Sequence, residues 1–284
     1  MNYRHAYHAG NFADVFKHAL LCNILGYLLR KETAFRYLDT HAGIGLYDLG
    51  AEQAEKTGEW RNGIGRLIDA APPPAVAALL APYLAGVRAA QPTPDAGLSL
   101  YPGSPWLARA MARPQDRLTL VEKHPADVAT LKRRFARDER VATVALDGWT
   151  ALNAYVPPRE RRGLVLVDPP FEEPDEFERM TARLAKAHAK WPGGIYALWY
   201  PIKDPRRIEA FAAGLVATGI RRMLRLELLV HAPDDPSRLN GCGLIVVNPP
   251  FTLAGEAGVL LPYLAELLAQ RGRPGWSATW LAPE

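Results

Sequence analysis

The sequence predicts an α/β protein built on an open sheet that has helices on both faces. The main observation is a series of short aliphatic runs that are almost continuously apolar, which is typical of strands covered on both sides. Helical stretches separate these runs, and this alternation predicts a largely parallel sheet. The predicted strands are Phe35–Asp39, Leu118–Glu122, Ala142–Leu146, Gly163–Val167, Gly194–Trp199, Met223–Val230, Gly243–Val247 and Ala278–Leu281.

The helices between these strands are predicted over Ala126–Ala136, Pro174–Ala189 and Pro205–Thr218. The second and third begin with proline, which suits the first position of a helix. Residues 221–251 predict two antiparallel strands that close the sheet, with their turn at 232–242. Right-handed crossovers place the carboxyl ends of parallel strands at one edge, where a ligand is expected.

One stretch, residues 50–100, interrupts the alternation because it contains no convincing strand. It is rich in alanine, leucine and proline, with Pro72-Pro73-Pro74 among its turn signals. We interpret it as a helical insertion in a domain formed by residues 1–49 and 101–284. Contact with substrate and a purely structural cap are both open roles for this insertion.

Composition predicts a globular chain of ordinary character with 284 residues, of which 49% are hydrophobic and 23% charged. The net charge of +4 favours a polyanionic partner without identifying one. Cys22 and Cys242 have no metal-like spacing, which suits a reduced compartment. The first residues do not resemble a signal peptide, and the apolar run Ala19–Leu29 is too short to span a membrane. We therefore expect a cytoplasmic protein that is outside the membrane and monomeric.

Polar motifs follow three of the predicted strands. The first, residues 39–45, contains His41 and a Gly-x-Gly turn that lets the backbone approach a ligand closely. Glu122 ends the second strand, where a carboxylate can accept hydrogen bonds from ribose hydroxyls. Asp147 and Gly148 follow the third, and this aspartate can accept from an adenine amino group. Taken singly, each motif also fits a tight turn or a solvated acid.

The most specific motif is Asp168-Pro169-Pro170-Phe171, at the end of an apolar strand. Two prolines donate no backbone hydrogen bond, so they end the ladder and form a rigid corner with free carbonyls. The lone pair of an adenine N6 amine is delocalised into the ring. Asp168 and the carbonyl of Pro169 can each accept one N6 hydrogen and orient the amine toward a methyl donor, while Phe171 stacks on the base.

A second corner of this type follows a later strand as Asn248-Pro249-Pro250-Phe251. The order of the strands distinguishes the two. Asp168 ends the strand that should lie beside the first, at the switch point of the sheet. Asn248 ends a late strand that we expect to be antiparallel, so we predict a structural corner there.

The N-terminal segment, residues 3–18, holds three of the seven histidines. We reject a metal site at His5, His8 and His18 because their spacing matches no zinc pattern. The alternative is that this segment forms a lip, a stretch of chain that borders the substrate and cofactor site. In it Asn11 or Asp14 caps the following helix, and the aromatic and cationic side chains contact a base or phosphates. Those side chains are Tyr3, Tyr7, Arg4 and Lys17.

Other segments carry weaker signals. Residues 196–201 hold aromatics that can line a base pocket or pack in the core. Ser104 follows a Tyr-Pro-Gly turn, where its side chain can cap a helix, bind the cofactor or do both. Basic clusters can contact a phosphate backbone, although each is also typical of a solvated face. They are Lys132-Arg133-Arg134, Arg159 with Arg161-Arg162, Arg206-Arg207 and Arg221-Arg222.

Taken together, these motifs resemble those of class I N6-adenine methyltransferases, and in particular the RlmJ family of bacterial 23S ribosomal RNA adenine-N6 methyltransferases. The order of the strand-end motifs, the segment 3–18 and the Tyr-Pro-Gly-Ser-Pro turn carry the resemblance, which runs nearly end to end. It implies a Rossmann-like methyltransferase fold with an inserted helical subdomain, the cofactor S-adenosylmethionine and an RNA partner.

The resemblance also implies roles for individual residues. Asp168 is expected to be catalytic and close to the cofactor, and Tyr3 is expected against the substrate base. The family often has tyrosine where this chain has Phe171, so stacking is retained here and a phenol hydrogen bond is not. The residues expected to bind S-adenosylmethionine are His18, His41, Ser104, Glu122, Asp147 and Gly148.

Rival functions remain open from the residues alone. Methylation of DNA adenine uses the same chemistry, and methylation of a protein glutamine uses a similar corner. An NAD-dependent oxidoreductase is disfavoured because no third glycine follows the Gly-x-Gly turn. A non-catalytic RNA-binding module would bind RNA without turnover.

Overall fold

The computed structural model describes residues 4–93, 95, 97–272 and 274–283, and its central feature is an eight-stranded sheet. A separate two-stranded ladder joins β2 to β3. Tyr3 lies outside the described residues. The strands are β1 (Arg36–Asp39), β2 (Leu46–Asp48), β3 (Leu100–Pro102), β4 (Arg117–Glu122), β5 (Val141–Ala145), β6 (Gly163–Val167), β7 (Ile195–Ile202), β8 (Met223–Leu229), β9 (Gly241–Val247) and β10 (Gly275–Ala282).

The order of strands in the main sheet is β10-β8-β9-β7-β6-β1-β4-β5. Strands β7, β6, β1, β4 and β5 pair in parallel, whereas β9 is antiparallel to both β7 and β8. The direction of winding reverses beside β1, so the carboxyl ends of β1 and β6 border the switch-point crevice. The predicted neighbourhood of β1 and β6, and the antiparallel closing pair, are confirmed.

Ten α-helices lie within the described part of the chain, and the helices that flank the main sheet connect its strands. Pro205 begins a helix as predicted, but the prediction for Pro174 is wrong because that helix begins at Glu176. The helices are α1 (Phe12–Leu29), α2 (Glu52–Thr57), α3 (Ile64–Ile68), α4 (Pro74–Ala89), α5 (Ser104–Met111), α6 (Pro125–Phe135), α7 (Gly148–Ala154), α8 (Glu176–Lys190), α9 (Pro205–Ala217) and α10 (Leu253–Leu268).

The sheet separates two apolar cores, which explains why its central strands are continuously apolar. In β6, Leu164 and Leu166 face a core shared with α1, α4 and α10. Val165 and Val167 face the opposite core, formed with α7, α8 and α9. Successive side chains of a strand point to opposite faces, so a strand buried on both sides has no polar face.

Helix α1 is longer than the apolar run from Ala19 suggests, since it begins at Phe12. Its 18 residues are apolar enough to cross a membrane by length and composition, but 78% of them are buried inside the fold. This helix is therefore a core helix. Asn11 caps it by accepting a hydrogen bond from the amide of Asp14, so the alternative cap at Asp14 is wrong.

Between β2 and β3 the chain forms α2, α3 and α4, with a short 3₁₀ helix at Glu59–Asn62. The two flanking strands pair antiparallel and bring the ends of this segment together. Leu80, Tyr83 and Val87 of α4 are buried in the same core as α1. The division at 50–100 into an insertion and a main domain stays a proposal.

Candidate active site

A cavity of about 580 Å³ opens at the carboxyl ends of the parallel strands, within the size range of small-molecule sites. Its wall gathers side chains from segments far apart in sequence. Of the ten candidate residues, nine line this cavity, and Tyr3 is the one outside the described chain. They are His18, His41, Ser104, Glu122, Asp147, Gly148, Asp168, Pro169 and Phe171.

Glu122 is held rigidly at the end of β4. Its Oε2 accepts the amide of Gly43 at 2.9 Å, and its Oε1 accepts the amide of His124 at 2.7 Å. Each carboxylate oxygen can accept a second hydrogen bond. Backbone amides therefore orient the buried carboxylate, which can still accept hydrogen bonds from the two hydroxyls of a ribose.

Asp147 caps α7, since its Oδ2 accepts hydrogen bonds from the amide and hydroxyl of Thr150 at 3.0 and 3.1 Å. Burial opposes ionisation, but these hydrogen bonds lower the pKa of Asp147 below its ordinary value. Gly148 follows, and a Cβ there would lie 2.3 Å from the carbonyl oxygen of Thr40 and 2.7 Å from the His41 ring. Only glycine allows the loops after β1 and β5 to approach this closely.

Two histidines of the cavity are neutral at physiological pH. Burial lowers the pKa of His18 to about 3 and that of His41 to about 4. The hydroxyl of Tyr101 lies 2.7 Å from Nδ1 of His18. Within the described chain, Nε2 of His18 has no hydrogen-bond partner although it is buried. This unpaired nitrogen in the cavity wall fits a site completed by a polar ligand.

Ser104 is the first residue of α5, and Gly103 occupies the cap position. The expectation that Ser104 caps the helix is therefore wrong. Its hydroxyl instead donates to Oδ2 of Asp39 at 2.6 Å. Tyr37 donates to the same oxygen at 2.8 Å. Burial raises the pKa of Asp39, which ends β1, to about 6.

Asp168 follows β6 and forms an ion pair with Lys17 of α1. The Nζ of Lys17 lies 2.5 Å from Oδ2 of Asp168 and 3.0 Å from Oδ1 of Asp14. Burial would lower the pKa of Lys17, but the two carboxylates raise it well above its ordinary value. The expectation that Lys17 meets a phosphate is wrong, because it is 5% exposed and held by these acids.

The backbone after Asp168 turns sharply at Phe171, which has a φ of +52°. A bulky residue in the left-handed region is strained, and such strain is often found at functional sites. The amide of Phe171 donates to Oε2 of Glu176 at 3.2 Å. The Phe171 ring packs edge-on to Trp199, with 6.0 Å between centroids. The corner thus presents an aromatic ring beside Asp168 in the cavity wall.

The rest of the aromatic stretch on β7 divides between two environments. Trp199 and Pro201 line the cavity, whereas Tyr196 and Tyr200 are fully buried in the core. Tyr7 is absent from the described cavity wall. Sequence reasoning named this stretch without separating its members, although the two-residue alternation of a strand carries that information.

Asn248 lies at the other edge of the sheet, where the antiparallel strand β9 ends. Its side-chain amide donates to the carbonyls of Pro192 and Gly194 at 2.7 and 2.8 Å. Its φ of +51° is tolerated better by asparagine than by most residues. The structural prediction for this corner is supported by its position away from the cavity.

The N-terminal histidines bind acids of the protein. Nε2 of His5 lies 2.9 Å from Asp14, and Nδ1 of His8 lies 3.0 Å from Glu59. Arg4 is also paired, with Asp127 at 2.9 Å. Among residues that the structure describes, no cluster of three His, Cys, Asp or Glu residues could hold a metal ion.

Comparison with known proteins identifies the family. The family model described as ribosomal RNA large subunit methyltransferase D, RlmJ, matches residues 32–282. The chain belongs to the RlmJ family. Two relatives named ribosomal RNA large subunit methyltransferase J, from Haemophilus influenzae and Escherichia coli, are 39% and 40% identical over 284 residues, and the match covers all of both chains in each case.

A solved structure agrees with this membership. The crystal structure of a Legionella pneumophila protein is 32% identical, with a TM-score of 0.86 over 96% of this chain and 98% of that one. The chain is therefore an S-adenosylmethionine-dependent methyltransferase with a Rossmann-like fold, as the sequence predicts.

Proposed function

We propose that the protein transfers a methyl group from S-adenosylmethionine to N6 of an adenine in 23S ribosomal RNA, in the cytoplasm and as a monomer. One observation carries this proposal. The Asp168-Pro-Pro-Phe corner opens into the same cavity as the side chains at the ends of β1, β4 and β5. A single chain supplies all of these groups, so the site needs no second copy.

The corner supplies the acceptors that an adenine amine needs. Asp168 and the carbonyl of Pro169 each accept one N6 hydrogen, which aligns the lone pair with the methyl donor. S-adenosylmethionine supplies a sulfonium methyl that is already strongly electrophilic. Alignment of the two reactants therefore provides much of the rate enhancement. Phe171 holds the base by stacking on it.

Lys17 positions the carboxylate for this role. Its ammonium occupies one side of Oδ2 of Asp168 at 2.5 Å, so the remaining acceptor positions of the carboxylate are directed elsewhere. The ring of Trp199 lies 6.0 Å from the Lys17 ammonium. The ion pair fixes the rotamer of Asp168 before substrate binds, which reduces the entropy lost in alignment.

The cofactor site is formed by the remaining candidates. We assign the ribose to Glu122, the adenine amine of the cofactor to Asp147, and the close backbone approach to Gly148. His18, His41 and Ser104 complete the wall near the amino-acid portion. The unpaired Nε2 of His18 and the backbone-oriented carboxylate of Glu122 support this assignment.

The experiment that tests the substrate class offers several acceptors side by side. Purified enzyme and labelled S-adenosylmethionine are incubated with unmethylated 23S ribosomal RNA, with DNA of the same sequence, and with a glutamine-containing protein extract. We expect label in the RNA alone, recovered as N6-methyladenosine. Label confined to DNA or to protein would overturn the proposed substrate while leaving the cofactor assignment in place.

A further inference from the structure

The charges of the protein are distributed unevenly between the cavity and the rest of the surface. Counting histidine as neutral, the described wall of the cavity has a net charge of −4. The whole chain carries +4, so the remainder carries +8, the difference between the two. The wall contains eight acids (Asp14, Glu122, Asp127, Asp147, Asp168, Glu172, Glu173 and Glu176) and four bases (Lys17, Lys123, Arg179 and Lys203).

This distribution separates two tasks. An acidic cavity suits the positive sulfonium and ammonium groups of S-adenosylmethionine. The same negative charge repels the phosphates of RNA, which are bound mainly by Lys and Arg side chains. Most of the affinity for an RNA backbone must therefore come from a basic surface elsewhere on the protein.

The opposite edge of the sheet provides such a surface. Three loops lead into the adjacent strands β1, β4 and β6, and together they carry a net charge of +5. We call them the amino-edge loops: residues 30–36, 113–117 and 159–162. Their bases are Arg30, Lys31, Arg36, Arg113, Arg117, Arg159, Arg161 and Arg162, and their acids are Glu32, Asp116 and Glu160.

Hydrogen bonds join these loops into one surface. Arg162 donates to the carbonyl of Thr33 at 2.8 Å, and Arg113 donates to the same carbonyl at 3.2 Å. Arg36 forms a bidentate ion pair with Glu160, in which the nitrogen–oxygen distances are 2.9 and 3.1 Å. These half-buried arginines connect the loops, so the structure itself explains their presence.

The structure does not explain three other cations of the same loops. Lys31, Arg159 and Arg161 are exposed, and none of their side chains makes a hydrogen bond or ion pair with another described residue. Helix α7 ends at Ala154, so Arg159 and Arg161 lie beyond the turn in which a cation stabilises a helix dipole. These three side chains are available to an external anion.

We propose that the amino-edge loops bind phosphates of the RNA substrate at a distance from the target adenine. The inference rests on the proposed function. Strand β4 has six residues, so the loops lie roughly 20 Å from the cavity at about 3.3 Å per residue. An RNA must extend well beyond its target nucleotide to reach both places. The surface thus favours a large RNA over a fragment limited to the target nucleotide and its neighbours.

The test removes the three free charges and compares the result with a matched control. The surface variant is Lys31→Gln/Arg159→Gln/Arg161→Gln. The control, Lys56→Gln/Arg88→Gln/Lys186→Gln, removes three exposed cations from other faces. Binding to protein-free 23S ribosomal RNA is measured against salt concentration. We expect the surface variant to lower the slope of log K against log salt by about 2 to 3, at about 0.7–0.9 for each phosphate that is no longer neutralised, and the control to keep the wild-type slope.

Methyl transfer gives a second readout. The surface variant should raise KM for 23S ribosomal RNA several-fold and leave kcat unchanged. With a single-stranded fragment that carries the unmethylated target adenine but is too short to reach the amino-edge loops, wild type and variant should be equal. A variant that matches the control in salt slope and in KM would overturn the inference.

A conservative variant distinguishes an effect of lost charge on RNA binding from an effect of altered folding. Arg159→Lys/Arg161→Lys keeps both cations and should bind the RNA as the wild type does. If this variant loses as much affinity as the glutamine variant, the loss is structural and the inference is wrong. Failure of the wild type to methylate any RNA would overturn the proposed function instead, since the binding comparison does not require turnover.

Discussion

The Nζ atom of Lys17 lies 2.5 Å from Oδ2 of Asp168, although 151 residues separate them in sequence. Lys17 also contacts Asp14 in its own helix, three residues earlier. One buried ammonium therefore links the first helix to the corner that follows β6. The N-terminal segment and the candidate catalytic carboxylate form a single unit.

Replacing Lys17 with methionine should impair both stability and turnover. The change leaves Asp14 and Asp168 without their shared cation, and breaking a buried ion pair costs about 3–5 kcal/mol. Thermal unfolding and single-turnover methyl transfer measure the two effects. Lys123→Met is the control, because Lys123 also lines the cavity but is 65% exposed and lies 3.7 Å from its acid. Wild-type turnover by the Lys17 variant would contradict the positioning role that we propose for Lys17.

Replacing Gly148 with alanine should weaken cofactor binding by tenfold or more. The new methyl group would lie 2.3 Å from the Thr40 carbonyl oxygen and 2.7 Å from the His41 ring, so it has no space. Overpacking of this kind costs about 1–3 kcal/mol, and the displaced loops line the cavity. Calorimetric titration with S-adenosylmethionine measures the loss. Gly255→Ala is the control, since nothing lies within 4 Å of its added Cβ. Equal affinities in the two variants would contradict the proposed cradle.

Replacing Asn248 with alanine should lower stability by about 1–3 kcal/mol, because two carbonyls lose their donor. Turnover per folded molecule should stay near the wild-type value, since the residue lies at the edge opposite the cavity. Denaturant unfolding and initial rates, measured where the variant is fully folded, separate these effects. A rate loss as large as that of Asp168→Ala would mean that the wrong Pro-Pro corner has been chosen.

Asp39 should make stability depend on pH. Burial raises its pKa from 3.8 to about 6, so between these values the folded protein holds a proton that the unfolded chain releases. The stability that this group contributes is complete below about pH 4 and is lost as pH rises through 6. The loss is at most about 3 kcal/mol, from about 1.4 kcal/mol per pKa unit.

The measurement is the free energy of unfolding of wild type minus that of Asp39→Asn, followed from pH 4 to 7. Loss of hydrogen bonds in the variant adds a constant that does not change with pH. The difference should therefore decrease as pH rises. A difference that stays constant or increases would show that Asp39 is ionised at low pH in the fold.

Much of the fold was predictable because its strands are buried on both faces. Continuous apolar runs such as Gly163–Val167 are identified without periodicity, and all eight strands of the main sheet were predicted within a few residues. The pair β2 and β3 was missed because each has three residues, too few for a pattern. Pro102 within β3 also argues against a strand.

The candidate site was predictable where a polar residue ends a strand, as with Glu122 and Asp168. The ion pair between Lys17 and Asp168 was not, because local patterns do not show where α1 docks. One signal was present: Lys17 lies in an otherwise apolar helix three residues after Asp14, so both face the interior. The helix cap predicted for Ser104 was wrong for a related reason, since the partner of its hydroxyl, Asp39, is 65 residues away.

In the proposed reaction, the Asp168 corner directs methylation of N6 of an adenine in 23S ribosomal RNA. The most direct test is methyl transfer to protein-free 23S ribosomal RNA that lacks its native methylation, with wild type and Asp168→Ala in parallel. Nuclease digestion and nucleoside mass spectrometry then identify the product. We expect N6-methyladenosine with wild type and none with Asp168→Ala, while both bind S-adenosylmethionine. Product formation by the variant at the wild-type rate would contradict the catalytic role of Asp168, and absence of product with a wild type that binds the cofactor would contradict the proposed substrate.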